Sequence, residues 1–132
     1  MVAFTSGLRR PHESSRPLAA ERYVSVTTFR RNGTGVPTPV EFVVEGDSLF
    51  FRTLPDAAKV KRIRREPRVL LAPCTMRGKI TGRKRAGTAT LLTPEETEAL
   101  IPAFGEKYGL IWRLLSKMRR PRSQGIRVQI DT

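Results

Sequence analysis

Residues 37–73, PTPVEFVVEGDSLFFRTLPDAAKVKRIRREPRVLLAP, constrain the fold more than any other stretch of this chain. They read as two β-strands around a tight turn, then a short basic helix, then a third strand. Residues 36–44 form the first strand. Pro37 and Pro39 confine part of it to a sheet edge, because proline brings no N–H to a ladder. Glu45, Gly46 and Asp47 make the turn, and SLFFRT at 48–53 is the return strand. Asp56 is placed to cap a helix over 57–65. In that helix Val60 and Ile63 are spaced to face a core, which leaves Lys61, Arg62, Arg64 and Arg65 outward. Glu66 and Pro67 stop it, since a residue before proline avoids the helical region. RVLLAP at 68–73 has the apolar density of a buried strand.

The flanking sequence extends this pattern. A helical turn over 17–22 leads into YVSVTTF at 23–29, which alternates as a strand does. Arg-Asn-Gly-Thr-Gly at 31–35 is a hairpin signal, and the first three strands form a meander. Residues 75–85 are a basic loop, and GTATLL at 87–92 is the next strand. Thr93, Pro94 and Glu96 spell a capping box with proline at the first helical position. That helix runs to about Leu100 or Ile101, where Pro102 and Gly105 break it. A second helix over 107–118 gathers Leu110, Ile111, Leu114, Leu115 and Met118 on one face. A basic loop over 119–124 precedes a closing strand over 125–130, in which Ile126, Val128 and Ile130 alternate with polar residues. The fold class is therefore mostly β with flanking helices. Six or so antiparallel strands form a small barrel, with helices after the third and fifth strands. A chain of 132 residues is one domain, here 17–132, behind a flexible arm over 1–16.

Charge and rare residues narrow the function. Lys and Arg number 25 against 12 Asp and Glu, a net charge of +13 that attracts anions. The cations fall in three clusters, near 59–68, 77–85 and 113–127. One cysteine, Cys74, excludes an intrachain disulfide and fits a reducing cytoplasm. With a single histidine, His12, the chain offers neither a His/Cys metal site nor a His-based triad, so no metal is expected. No apolar run reaches the roughly 18 residues of a membrane span, so no membrane partner is expected. Nucleic acid is disfavoured as well. Phe50 and Phe51 are adjacent, so only one can face a surface, and no aromatic stacking platform follows from the pattern.

Lys59 lies near the start of the basic helix, just after Arg52 and Thr53 end a strand. A helix N-terminus offers free N–H groups and a positive dipole end, so a hydroxyl and two cations there can form a phosphate pocket. Each residue also has a plainer reading: Lys59 as a solvated helix lysine, Arg52 as an outward strand residue, Thr53 as a turn residue. Cys74 reads as a small buried side chain, because no histidine activates it. Trp112 reads as a core or dimer contact.

The series YVSVTTFRRNGTGVPTPVEFVVEGDSLFFRT at 23–53, the Lys59 helix, EPRVLLAPC at 66–74 and GTATLLTPEE at 87–96 resembles the pyridoxamine-5′-phosphate-oxidase-like split β-barrel family. It is most similar to the branch of flavin- and deazaflavin-dependent oxidoreductases whose coenzyme is F420. The resemblance implies an F420-dependent reductase that passes a hydride from the reduced cofactor to a small organic substrate, with FMN as the alternative cofactor and no catalytic side chain assigned; a non-catalytic cofactor carrier and a basic nucleic-acid-binding barrel stand as the alternative functions. It places Thr38, Pro39 and Val40 beside the cofactor ring, Arg52 and Thr53 by the ribityl chain and phosphate, and Ala58 and Lys59 on the phosphate. It implies a homodimer with the cofactor between subunits, so that the 77–85 loop, with Arg83 and Arg85, reaches the partner's cofactor. The apolar helix face at Leu110–Leu115 and the strand near 40–44 would supply the interface. Glu41 stands where an apolar or aromatic residue is usual, and GIRVQIDT at the C-terminus lacks the aromatic and basic residues of vitamin B6 oxidases. F420 suits the charge better than FMN, because its tail carries several carboxylates beyond the phosphodiester.

Overall fold

A computed structural model describes residues 16–118 and 123–131. The chain opens with α1 (Arg16–Ala19), β1 (Tyr23–Phe29) and β2 (Gly35–Val40), the strands joined by a hairpin in which Asn32 Oδ1 accepts from the Thr34 N–H. β3 (Val43–Glu45), β4 (Ser48–Thr53), α2 (Ala58–Arg65), β5 (Arg68–Cys74) and β6 (Arg85–Leu91) follow. Three helices come next: α3 (Pro94–Glu98), α4 (Ile101–Tyr108) and α5 (Leu110–Met118). β7 (Gln124–Ile130) closes the fold. Apart from Arg16, the arm over 1–16 lies outside the described residues. So do His12 and most of the loop over 119–124.

The seven strands form one antiparallel sheet in the order β2-β1-β5-β6-β7-β4-β3. Its two edge strands, β2 and β3, are consecutive in the chain and separated only by Glu41 and Phe42. The sheet must therefore curl until its edges meet. The strand expected over 36–44 is two strands for this reason. Its first half pairs with β1, Val24 opposite Val40, and its second half with β4, Val43 opposite Phe50. The meander exists, but one straight strand cannot follow both neighbours around the curl.

Strand alternation fills the inside of the curl with Val24, Val26, Val40, Val44, Leu49, Phe51, Val69, Leu71, Ala89, Ile126, Val128 and Ile130. Val60 and Ile63 of α2 add to this core, as their spacing predicts. A second apolar layer lies on the outer face, where Val43 and Phe50 pack beneath Leu92, Leu100, Ala103, Phe104 and Tyr108. Phe50 and Phe51 thus face opposite sides and both are buried.

The helices differ from the sequence pattern at three points. Asp56 does not cap α2; Ala57 holds the N-cap position, without a side-chain hydrogen bond. Pro102 and Gly105 do not break the chain. Pro102 occupies the first turn of α4, where a missing N–H costs nothing, and Gly105 is internal. A Cβ at Gly105 would lie 2.6 Å from Arg113 Nε, so the glycine lets α5 cross α4 closely. The first helix ends at Glu98, close to the expected point, and a second break falls at Gly109, whose φ of 92° few other residues adopt. The capping box forms in full: Glu96 N–H donates to Thr93 Oγ1 at 3.1 Å, and Thr93 N–H to Glu96 Oε1 at 3.0 Å.

Candidate functional site

Helix α2 starts soon after β4 ends, and its N-terminus is electrostatically bare. No side chain caps it, and its first turn holds no acidic residue. Lys59 sits in that turn, half-buried, and burial together with the nearby Arg62 pulls its pKa below the usual lysine value. Arg62 lies one turn further along the same side of the helix and donates its Nε to Thr28 Oγ1 at 2.7 Å. The last turn is tied to β1 as well, through Arg65 to the Phe29 carbonyl. These contacts tie Arg62 and Arg65 to β1, the neighbour of the edge strand β2.

Thr28 pairs with Val36 of β2, and Thr38 is the next residue along β2 that turns the same way. The Thr38 hydroxyl is buried and has no hydrogen-bond partner. A buried hydroxyl without a partner is costly, so the position suits a ligand that supplies one. Pro39 is exposed at the sheet edge, and Val40 is buried in the barrel core. The edge with its orphaned hydroxyl can face a ring, and the bare helix end can hold an anionic group.

The other sequence candidates separate into two places. Thr53 is the last residue of β4 and faces the barrel side. Arg52 faces the opposite side, its guanidinium 5.3 Å from the ring centres of both Phe104 and Trp112. Arg83 is exposed, and Arg85 begins β6 opposite Leu71. The 77–85 loop folds over the outer face of its own sheet. There Ile80 and Lys84 overhang a groove of about 360 Å³ walled by Thr27, Phe29, Pro37 and Leu70. Cys74 is buried at the end of β5, and burial raises its thiol pKa, away from nucleophilic thiolate.

The sequence pattern does not reveal what holds the break between β2 and β3. Tyr108 is buried there. Its hydroxyl accepts from the Phe42 N–H at 2.9 Å and reaches the Arg22 carbonyl at 2.7 Å. Trp112 Nε1 donates to Glu41 Oε1 at 3.1 Å, so the glutamate next to Val40 is pinned by α5. Phe104 stacks on Tyr108 and Trp112, with ring centres 5.9 and 5.6 Å apart. Helical spacing relates these aromatics to one another, but nothing local relates them to residues 41 and 42. Arg62 was also hidden, since the helical pattern places it outward.

A seven-stranded antiparallel sheet curled edge to edge, with α2 contributing to the core, defines a split β-barrel. The sequence matches the pyridoxamine 5′-phosphate oxidase family over residues 11–132, and the chain belongs to that family. No curated protein matches it. Among solved structures it is similar to a protein of unknown function from Agrobacterium tumefaciens, with 16% identity and a TM-score of 0.68. That alignment covers 87% of this chain but only 51% of the other, so this chain spans about half its length. The heme storage protein HutZ from Vibrio cholerae aligns with a TM-score of 0.68 at 12% identity, covering 93% of this chain and 92% of that one. An F420 reductase aligns with a TM-score of 0.60 at 19% identity, covering 95% and 97%.

Proposed function

We propose that this chain is an oxidoreductase that binds a phosphate-bearing flavin-type cofactor, F420 in preference to FMN, and passes a hydride to a small organic substrate. The observation that carries the reading is the uncapped α2 N-terminus with its half-buried Lys59, and the orphaned Thr38 hydroxyl on the edge strand β2 supports it. When bound, the cofactor supplies the hydride chemistry, and the protein supplies position and electrostatics. Lys59 and the backbone N–H groups at Ala58 and Lys59 hold the phosphate. Thr38 donates or accepts at the ring. Pro37 and Pro39 leave the free edge of β2 short of donors, so its carbonyls suit the ring's N–H groups. Thr53 closes the phosphate side. Arg52 joins only by leaving its aromatic stack. The preference for F420 rests on the net charge of +13, which favours a long polyanionic tail over a single phosphate.

Fluorescence titration with each cofactor tests the reading. F420 should bind in the micromolar range and FMN more weakly. Tighter FMN binding, or protein that purifies yellow, would replace F420 with FMN. Failure of both would remove the oxidoreductase reading. A cofactor carrier would bind F420 yet leave its reduced form unoxidised by a panel of enones and quinones.

A further inference from the structure

A second basic cleft lies at the far end of α2. The β1–β2 hairpin and the turn between α2 and β5 wall a space of about 340 Å³, lined by Phe29, Arg30, Arg31, Arg65, Glu66 and Arg68. Lys59 and Arg65 are six residues apart, roughly 9 Å along the helix axis, so this cleft is separate from the α2 N-terminus. Its lining is charged rather than apolar, so its occupant is polar.

The cations outnumber the carboxylates that could answer them. Arg68 donates Nη1 and Nη2 to the Asp131 carboxylate at 3.2 and 2.6 Å, and Nη1 also to Thr88 Oγ1 at 2.8 Å. Glu66 Oε2 accepts from the Arg68 N–H at 3.2 Å. Arg65 gives one donor to the Phe29 carbonyl, which engages only part of its fork. Among the described residues no ion pair forms on Arg30, Arg31 or Arg65. Asp131 balances Arg68, so Glu66 alone is left to answer the other three guanidiniums. The backbone that carries Arg30 and Arg31 is nonetheless fixed. Gly33 N–H donates to the Arg30 carbonyl and Arg30 N–H to the Thr34 carbonyl, both at 2.9 Å, and Gly33 takes the positive φ of 86°. Such a set of cations repels itself unless an anion is shared among its members.

We propose that this cleft binds a phosphate-bearing small molecule, its phosphoryl oxygens shared by Arg30, Arg31 and Arg65. Phosphate suits the cleft better than a carboxylate. Neighbouring guanidinium forks pair bidentately with its oxygens, and two phosphoryl groups would answer the charge that Glu66 leaves. The cleft stands apart from the proposed cofactor site and needs no bound cofactor.

Amide NMR of the full chain without cofactor, titrated with inorganic pyrophosphate at physiological ionic strength, tests the proposal. Shifts should appear at residues 30–34 and 65–68, and a separate set near Lys59 would report the other site. Arg30→Ala/Arg31→Ala should weaken the binding read at residues 65–68 by about tenfold or more. Lys61→Ala/Arg64→Ala removes the same charge from exposed positions of α2 outside the cleft, and should weaken it by less than about threefold. Circular dichroism should match the wild type for both pairs. If the alanine pair disturbs the hairpin, Arg30→Gln/Arg31→Gln gives the same reading. Equal losses in the two pairs would show that bulk charge alone attracts the anion, and would overturn the proposal. So would an absence of shifts at residues 30–34 up to millimolar pyrophosphate. A short single-stranded oligonucleotide that displaces pyrophosphate at a lower concentration of phosphate would overturn it in favour of nucleic acid.

Discussion

Lys107 places a cation where burial disfavours one. Its Nζ lies 3.5 Å from the Phe42 ring centre, is buried and has no hydrogen-bond partner. Burial, with help from Arg22 and against Glu21 and Glu41, lowers its pKa from 10.5 to about 8. The Phe42 ring offsets part of that penalty by attracting the ammonium. The folded chain thus holds this proton less tightly than the unfolded chain does. The cost is fully present below pH 8 and fades as pH rises from about 8 toward 10.5. Relative to Lys107→Met, the wild type should gain about 1–2 kcal/mol in urea unfolding between those limits, a figure reduced because the side chain is partly exposed. A constant difference across that range would show that the rings keep the ammonium charged. Lys59 is its counterpart at the proposed phosphate site. Lys59→Ala should weaken F420 binding by about 1–3 kcal/mol, the range for losing a charge-assisted hydrogen bond. Thermal unfolding should stay close to wild type, since the lysine's main contribution is to the anion. Unchanged binding would move the phosphate away from α2.

The break between β2 and β3 is the joint on which the element arrangement turns, and the Tyr108 hydroxyl closes it. Tyr108→Phe would leave the buried Phe42 N–H without its acceptor and should cost about 1–3 kcal/mol. Amide exchange should quicken first at residues 41–44. Uniform quickening across the sheet would instead mean that the hydroxyl supports global stability only. This joint also shows where sequence reading stops. The capping box at Thr93, the hairpin at 31–35 and the ends of β1 and β4 follow from neighbours a few residues apart, so their signals are local. The break at 41–42 follows from the closure of a curled sheet and from a hydroxyl 66 residues away, and no local pattern encodes either. The same division applies to the site. The Lys59 position at a helix start was legible, because strand, turn and helix adjoin in sequence. The destination of Arg52 was not. Strand alternation separates it from Thr53, and the aromatics that receive it come from helices formed much later in the chain.

At the scale of the whole molecule, we propose that the homodimer expected from the family resemblance forms on the outer face of β1, β2 and β5. Val40, Phe42, Val43 and Val44, expected to serve an interface, are already buried within the subunit. The groove on the outer face of β1, β2 and β5 remains available, with apolar walls at Phe29, Pro37 and Leu70 and an overhang at Ile80 and Lys84. A two-fold axis through this face would shield the half-exposed apolar strand residues. It would also bring Arg83 and Arg85 toward the partner's β2 edge and α2 cations, where an anionic cofactor tail could link the two sets of charge. Without such a ligand these cations repel one another, so the dimer should tighten when F420 is present and loosen at low salt without it. Light scattering should give twice the chain mass with cofactor at micromolar concentration. Ile80→Asp should shift it toward monomer, because the new carboxylate would be buried against Phe29 and Leu70 without a fixed partner. A monomer that binds F420 as tightly as the wild type would remove both the shared site and the role assigned to the 77–85 loop.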